Sequence, residues 1–159
     1  MGVPTIKKYE KSGVLSLKDL TLPTDKQLQK GVAIIECVQE IPCDPCVAIC
    51  PVNSISMRDI NDTPKIDFNQ CTGCKRCVGI CPGLAIFVVK VEDGKALITL
   101  PYEFLTIPKV GDHATALDRE GKSRGSAEII KVNRSGKTTV VTIEVDKDLA
   151  MEVRNIKLD

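Results

Sequence analysis

Eight cysteines, Cys37, Cys43, Cys46, Cys50, Cys71, Cys74, Cys77 and Cys81, are confined to positions 37–81, and none lies outside that window. The opening residues, MGVPTIKKYEKSG, lack the apolar stretch of a secretory signal. The expected location is therefore the cytoplasm, where thiols stay reduced and a dense cysteine set points to metal ligation or redox chemistry, not to disulfides. The longest uninterrupted apolar run, Leu84 to Val89, is far too short for a membrane span, so no transmembrane segment is expected.

Spacing narrows the chemistry. From Cys71 to Pro82 the chain reads C-x2-C-x2-C-x3-C-P, and from Cys43 to Pro51 it reads C-x2-C-x3-C-P. The two segments superpose at a constant offset of 31 positions, which matches Cys43 with Cys74, Cys46 with Cys77 and Cys50 with Cys81. The same offset matches Val47 with Val78, Ile49 with Ile80, Pro51 with Pro82, Ile55 with Ile86 and Ile35 with Ile66. This pattern indicates an internal duplication. It fails at one point. The partner of Cys71 should sit at position 40, which is Glu, and the nearest cysteine is Cys37, so the first run is C-x5-C-x2-C-x3-C-P.

The run from Cys71 to Pro82 resembles that of bacterial ferredoxins with four-iron clusters. A cubane cluster needs three thiolates aimed inward from one tight loop, for which Gly73 suits the turn, while Pro82 ends the short helix that carries the last sulfur away. In two-cluster ferredoxins the fourth cysteine of each run ligates the other cluster. The resemblance thus implies two [4Fe-4S] clusters with crossed ligands: cluster A on Cys37, Cys43, Cys46 and Cys81, and cluster B on Cys71, Cys74, Cys77 and Cys50. For Cys37 a second reading stands beside ligation, a buried structural thiol next to a three-iron cluster. Zinc is the alternative metal, but its four-thiolate sites separate two C-x2-C pairs by a longer stretch. A single redox-active dithiol would not need two superimposable sets.

The expected fold is α+β: a duplicated β-α-β ferredoxin-like dicluster core followed by a small antiparallel, barrel-like all-β module. Strands are expected at 32–36, 54–57, 63–68 and 84–89, with short helices at 47–50 and 78–81. Three regions follow: an N-terminal arm over 1–31, a dicluster domain over 32–90 and a docking module over 91–159. In the arm, Thr24 to Gln27 forms a capping box for a helix that stops at Gly31. In the last region, strands are expected at 96–100, 102–107, 113–117, 126–132 and 138–145, and Asp146 caps a short helix reaching Met151. A core as small as 32–90 needs the clusters as staples, so removal of iron should unfold it.

No catalytic residues are expected. The single histidine, His113, lies outside the cysteine window and reads as a surface residue. With 22 Lys+Arg against 21 Asp+Glu the net charge is +1, which speaks against a nucleic-acid or membrane-surface binder. Only Tyr102 and Phe104 could serve as stacking platforms in the last region. Small diffusing ferredoxins are usually strongly acidic, and this balance instead favours a resident subunit. Local charge separates the two sites: Glu36, Glu40 and Asp44 flank cluster A, and Lys75 and Arg76 sit in the loop of cluster B. If those side chains lie near the clusters, B has the higher potential; otherwise they are solvated loop charges.

The segment from Val32 to Val89 also resembles the iron–sulfur subunit that accompanies flavin-dependent amine and amino-acid (proline-type) dehydrogenases. That resemblance implies a flavoprotein partner in a hetero-oligomeric complex. The expected function is an electron-transfer subunit of a multisubunit oxidoreductase, passing single electrons between a flavin and an external acceptor. A free soluble ferredoxin and a zinc-stabilised interaction protein are the alternatives.

Overall fold

The computed structural model describes residues 4–159, so the first three residues of the expected arm lie outside the described part. The molecule is mostly sheet with few, short helices, a ferredoxin-type region followed by a β module. In chain order the elements are α1 (Lys8–Ser12), α2 (Asp25–Lys30), β1 (Val32–Ile35), α3 (Pro45–Ile49), β2 (Ile55–Ser56), β3 (Lys65–Ile66), α4 (Arg76–Ile80), β4 (Ile86–Glu92), β5 (Lys95–Tyr102), β6 (His113–Asp118), β7 (Ser123–Ser135), β8 (Thr138–Asp146) and β9 (Val153–Lys157).

The capping box expected at Thr24 is present. Gln27 N–H donates to Thr24 Oγ1 at 3.3 Å, and Thr24 N–H donates to Gln27 Oε1 at 2.9 Å, so two amide donors left free at the start of α2 are satisfied reciprocally. Leu28 is buried against the core, while Lys30 Nζ donates to the Asn69 carbonyl at 2.8 Å. The arm is thereby tied to the loop that precedes Cys71. The alternating stretch from Val14 to Leu22 contains a single 3₁₀ turn, Leu17–Asp19.

Around the cysteines, each half supplies one strand to each hairpin. β1 pairs antiparallel with β4, and β2 pairs antiparallel with β3. Ile35 faces Ile86 in the first hairpin and Ile55 faces Ile66 in the second. These are the four isoleucines related by the 31-residue offset, so the two cross-strand pairs are equivalent positions of the repeat. Val32, Ala33, Ile34 and Ile86 to Val89 are all buried, which is why both strands read as continuous apolar runs and not as alternating ones.

The boundary expected at 90/91 falls inside β4. This strand continues to Glu92, turns through Asp93 and Gly94, and pairs with β5 in the register Glu92↔Lys95. Both turn residues have positive φ, 52° and 75°, the backbone that a two-residue hairpin requires and that Asp-Gly favours. One seven-stranded sheet results, in the order β1-β4-β5-β8-β7-β6-β9. The sheet curls enough that β9, at its far edge, comes near β5. Ile98, Leu100, Ile129, Val141, Ile143, Val153 and Ile156 are fully buried in its interior.

Three expectations in this region differ from the structure. Residues 103–107 are not strand: β5 ends at Tyr102, and the chain then forms an exposed loop with Phe104 and Leu105 in solvent. The helix after Asp146 is only a 3₁₀ turn, Lys147–Leu149. The last strand, β9, was not anticipated, because Arg154 stands at a position that a half-buried strand normally gives to an apolar side chain. Among the described residues, no helix is long and apolar enough to cross a membrane.

Candidate metal centre

Two short loops and the helices that follow them position the sulfurs. In the second loop Gly73 (φ 66°) and Lys75 (φ 72°) adopt left-handed backbone, which coils the chain tightly between Cys71 and Cys77. A Cβ at Gly73 would lie 2.8 Å from the Gly31 carbonyl oxygen, so this loop also packs directly on the end of α2. In the first loop Pro45 begins α3 immediately before Cys46, where its fixed φ and missing N–H suit the first helical turn. Each helix then ends at a cysteine in extended conformation, Cys50 after α3 and Cys81 after α4.

The eight sulfurs separate into two groups of four. Cys50, Cys71, Cys74 and Cys77 line one cavity, closed by Ala33, Ile55 and Val88. Burial pushes the Cys77 thiol up to about 12, and the neighbouring sulfurs of Cys71, Cys74 and Cys50 add to the effect. Cys37, Cys43, Cys46 and Cys81 form the other group. Burial raises Cys46 to about 11, with Cys81, Cys37 and Cys43 contributing repulsion, and burial likewise raises Cys37, again beside Cys81 and Cys43. Cys37 therefore stands with Cys43, Cys46 and Cys81 despite its displaced position in sequence. Cys46, Cys71 and Cys77 are buried, while Cys74 is exposed.

Amide hydrogens point at several of these sulfurs. Ala33 N–H donates to Cys71 Sγ at 3.4 Å, Ser54 N–H to Cys50 Sγ at 3.3 Å and Ala85 N–H to Cys81 Sγ at 3.4 Å. The last two are equivalent under the 31-residue offset. At Cys50, burial raises the thiol, but hydrogen bonds from the Ser54 side chain and nearby amides outweigh it and leave the group below its ordinary value.

The donor set fits iron–sulfur clusters. Each group offers four sulfurs, and burial favours the neutral thiol at Cys37, Cys46 and Cys77, so a bound group must supply the positive charge that keeps those sulfurs as thiolates. Cys50, Cys71, Cys74 and Cys77 face one shared pocket, as the ligands of one cluster would.

The charge pattern expected around the two groups is altered by the fold. Glu36 is buried and does not act as a free negative charge. Its Oε1 accepts from Arg119 Nε at 2.8 Å, from Arg119 Nη2 and from Arg154 Nε at 3.4 Å. Arg154 is 6% exposed, and burial lowers its guanidinium to about 10 even though Glu36 opposes the shift. One acid and two bases are thus gathered at Glu36, the residue before Cys37 in the chain. Beside the second group, Lys75 is half-buried and Arg76 exposed; burial lowers the Lys75 ammonium, and Lys131 and Lys90 add repulsion. Sequence reading missed Arg119 and Arg154 because they lie 83 and 118 residues from Glu36 in the chain.

The other candidates fall away from this centre. His113 opens β6 and is exposed, opposite Glu128. Tyr102 is buried with its ring edge-on to exposed Phe104, centroids 5.3 Å apart. Residues 13–15 of the arm line a groove together with Glu36, Leu84, Phe87 and Arg154, so the arm lies against the core beside the first group.

The fold and site define an iron–sulfur protein with a ferredoxin-type dicluster domain. Residues 36–85 match the family model of the 4Fe-4S dicluster domain, which holds two [4Fe-4S] clusters, and eight cysteines are present for them. Among curated proteins, the chain is similar to a component (A) of hydrogenase-4 from Escherichia coli, 48% identical over 42 residues, 26% of this chain and 20% of that protein. It is also similar to a ferredoxin of Methanocaldococcus jannaschii, 40% identical over 45 residues, 28% of this chain and 29% of that one. A pyruvate synthase subunit of the same organism is 38% identical over 52 residues, 33% of this chain and 59% of the subunit. The chain thus spans less than two thirds of each of these relatives. No solved structure matches the chain.

Proposed function

We propose that this chain is the electron-transfer subunit of a multisubunit oxidoreductase, with cluster A on Cys37, Cys43, Cys46 and Cys81 and cluster B on Cys71, Cys74, Cys77 and Cys50. The observation that carries the reading is the interlocking of the two sulfur groups, each built from three cysteines of one run and the last cysteine of the other. Each cluster, when bound, exchanges one electron. The chain's own residues hold the thiolates in place, exclude water around Cys46, Cys71 and Cys77, and aim amide hydrogens at the sulfurs. Because every sulfur is used in ligation, the site offers no open position for a substrate.

The order β1-α3-β2 and β3-α4-β4, with the paired isoleucines, supports a duplicated β-α-β core in which the repeats exchange their fourth ligand. That two relatives are named as a component of a hydrogenase and a subunit of pyruvate synthase supports a role inside a larger complex. The flavoprotein partner rests on the resemblance of Val32–Val89 to dehydrogenase iron–sulfur subunits. Eight unpaired thiols suit the reducing cytoplasm.

Anaerobic purification of the tagged chain from its own host tests each level. A brown protein with about eight irons per chain and a flavoprotein in stoichiometric amount is the expected result. Colourless, zinc-loaded protein overturns the cluster assignment. Iron-loaded protein that elutes alone overturns the subunit reading in favour of a free ferredoxin. Cys37→Ser should convert one cluster to a three-iron form with its own paramagnetic signature, whereas an unchanged iron count and spectrum removes Cys37 from the ligand set.

A further inference from the structure

The two remote cysteines, Cys50 and Cys81, occupy equivalent positions and receive equivalent amide bonds, at 3.3 Å from Ser54 N–H and at 3.4 Å from Ala85 N–H. The halves part at the side chain of the donor residue. Ser54 Oγ stands 3.1 Å from Cys50 Sγ, whereas Ala85 has no polar atom to offer Cys81. Ser54 is 3% exposed, so water does not compete for its hydroxyl. A sulfur bound to iron carries no proton, and the hydroxyl must then be the donor.

A donor aimed at a ligating sulfur stabilises the electron-rich state of the cluster more than the oxidised one, and hydrogen bonding to sulfur is one of the levers that set cluster potential. We propose that Ser54 is a potential-setting residue: its hydroxyl, acting through Cys50, raises the potential of the cluster held by Cys50, Cys71, Cys74 and Cys77 above the value that the repeat alone would give it. The inference rests on the crossed ligand assignment proposed above. It differs from the fixed-charge argument, since the Arg119–Glu36–Arg154 set and the Lys75, Lys90 and Lys131 group are the same in every variant compared.

The test is redox titration of the anaerobic, iron-loaded chain followed by electron paramagnetic resonance, with the iron count taken first. Ser54→Ala should lower one of the two potentials by the equivalent of about a tenfold loss in the reduction equilibrium, about 59 mV for a one-electron couple. Ser54→Thr, which keeps the hydroxyl, should restore it. Ala85→Ser, which installs the missing donor at a half-buried position of the other repeat, should raise the other potential and leave the first in place. Full iron content in Ser54→Ala with both potentials unmoved overturns the proposal while the ligand assignment stands. If Ser54→Ala loses iron, Ala85→Ser decides alone, and an unmoved potential there overturns it. A wild-type chain with fewer than two paramagnetic clusters defeats the ligand assignment instead.

Discussion

Glu36 sits one residue before Cys37 and joins the first sulfur group to the far end of the chain. Its carboxylate is met by Arg119 and Arg154, and those guanidinium groups also donate to backbone, Arg119 Nη1 to the Met151 carbonyl at 2.8 Å and Arg154 Nη1 to the Ala150 carbonyl at 3.0 Å. Arg154 further stacks over Phe87, 5.2 Å from the ring centroid. Taking away one member of a buried ionic set leaves the remaining charge without compensation, which costs more than the set itself contributes. Glu36→Gln should therefore destabilise the protein by about 3 kcal/mol. Glu40→Gln, at an exposed position, should change stability by less than about 0.5 kcal/mol. Anaerobic urea unfolding of the two variants checks this, and equal midpoints would remove the ion set from the account of how the module is held. The sequence places Glu36 beside a cysteine and suggests a negative neighbour. Its true surroundings are positive, since the compensating side chains come from residues that only the sheet brings near.

At the scale of elements, helices α3 and α4 are equivalent in the repeat but meet different surroundings. Ala48 in α3 is exposed, while its counterpart Gly79 in α4 lies against Ser135 and Val140 of the β7–β8 hairpin. A Cβ at position 79 would overlap the Ser135 side chain. Gly79→Ala should thus cost about 1–3 kcal/mol through overpacking, although alanine is the better helix former. The mirror change, Ala48→Gly, should cost about 1 kcal/mol, from helix propensity alone. Thermal unfolding under anaerobic conditions distinguishes them, and a stabilised Gly79→Ala would mean that the helix does not dock on the hairpin. The departure of the repeat at this position, alanine against glycine, is a sequence signal that something covers the second half. Asp93-Gly94 is another, because a two-residue turn of this type joins neighbouring strands of one sheet. The unanticipated β9 left no comparable trace: Arg154 breaks its apolar pattern for the sake of Glu36.

Across the whole molecule, the sheet changes what the clusters must hold together. A core limited to 32–90 would depend on iron throughout, yet β1 and β4 extend a sheet whose interior is sealed by Ile98, Leu100, Val141 and Ile143. Apolar burial on that scale does not need a metal. Removing iron with a chelator under reducing conditions should therefore release residues 37–84, which between β1 and β4 contain only short helices and a hairpin of two-residue strands, while β5 to β8 keep their fold. Hydrogen exchange provides the measurement: amides of α3 and α4 should exchange rapidly in the apo chain, and those of β5 and β8 should stay protected. Loss of protection throughout the sheet would show that cluster and sheet unfold as one unit.

Sequence by itself determined the chemistry, because a cubane admits few spacings of sulfur along a chain and a repeat offset of 31 residues survives in the cysteines, prolines and isoleucines alike. It also determined most strands near those cysteines, where buried apolar runs leave little choice. Tertiary structure alone decided that the C-terminal strands extend the ferredoxin hairpin, and that Arg119, from the turn after β6, and Arg154, from β9, meet Glu36. Spacing rules are local and act through covalent geometry, whereas charge compensation and sheet continuation depend on residues far apart in sequence that meet only once the chain has closed on itself.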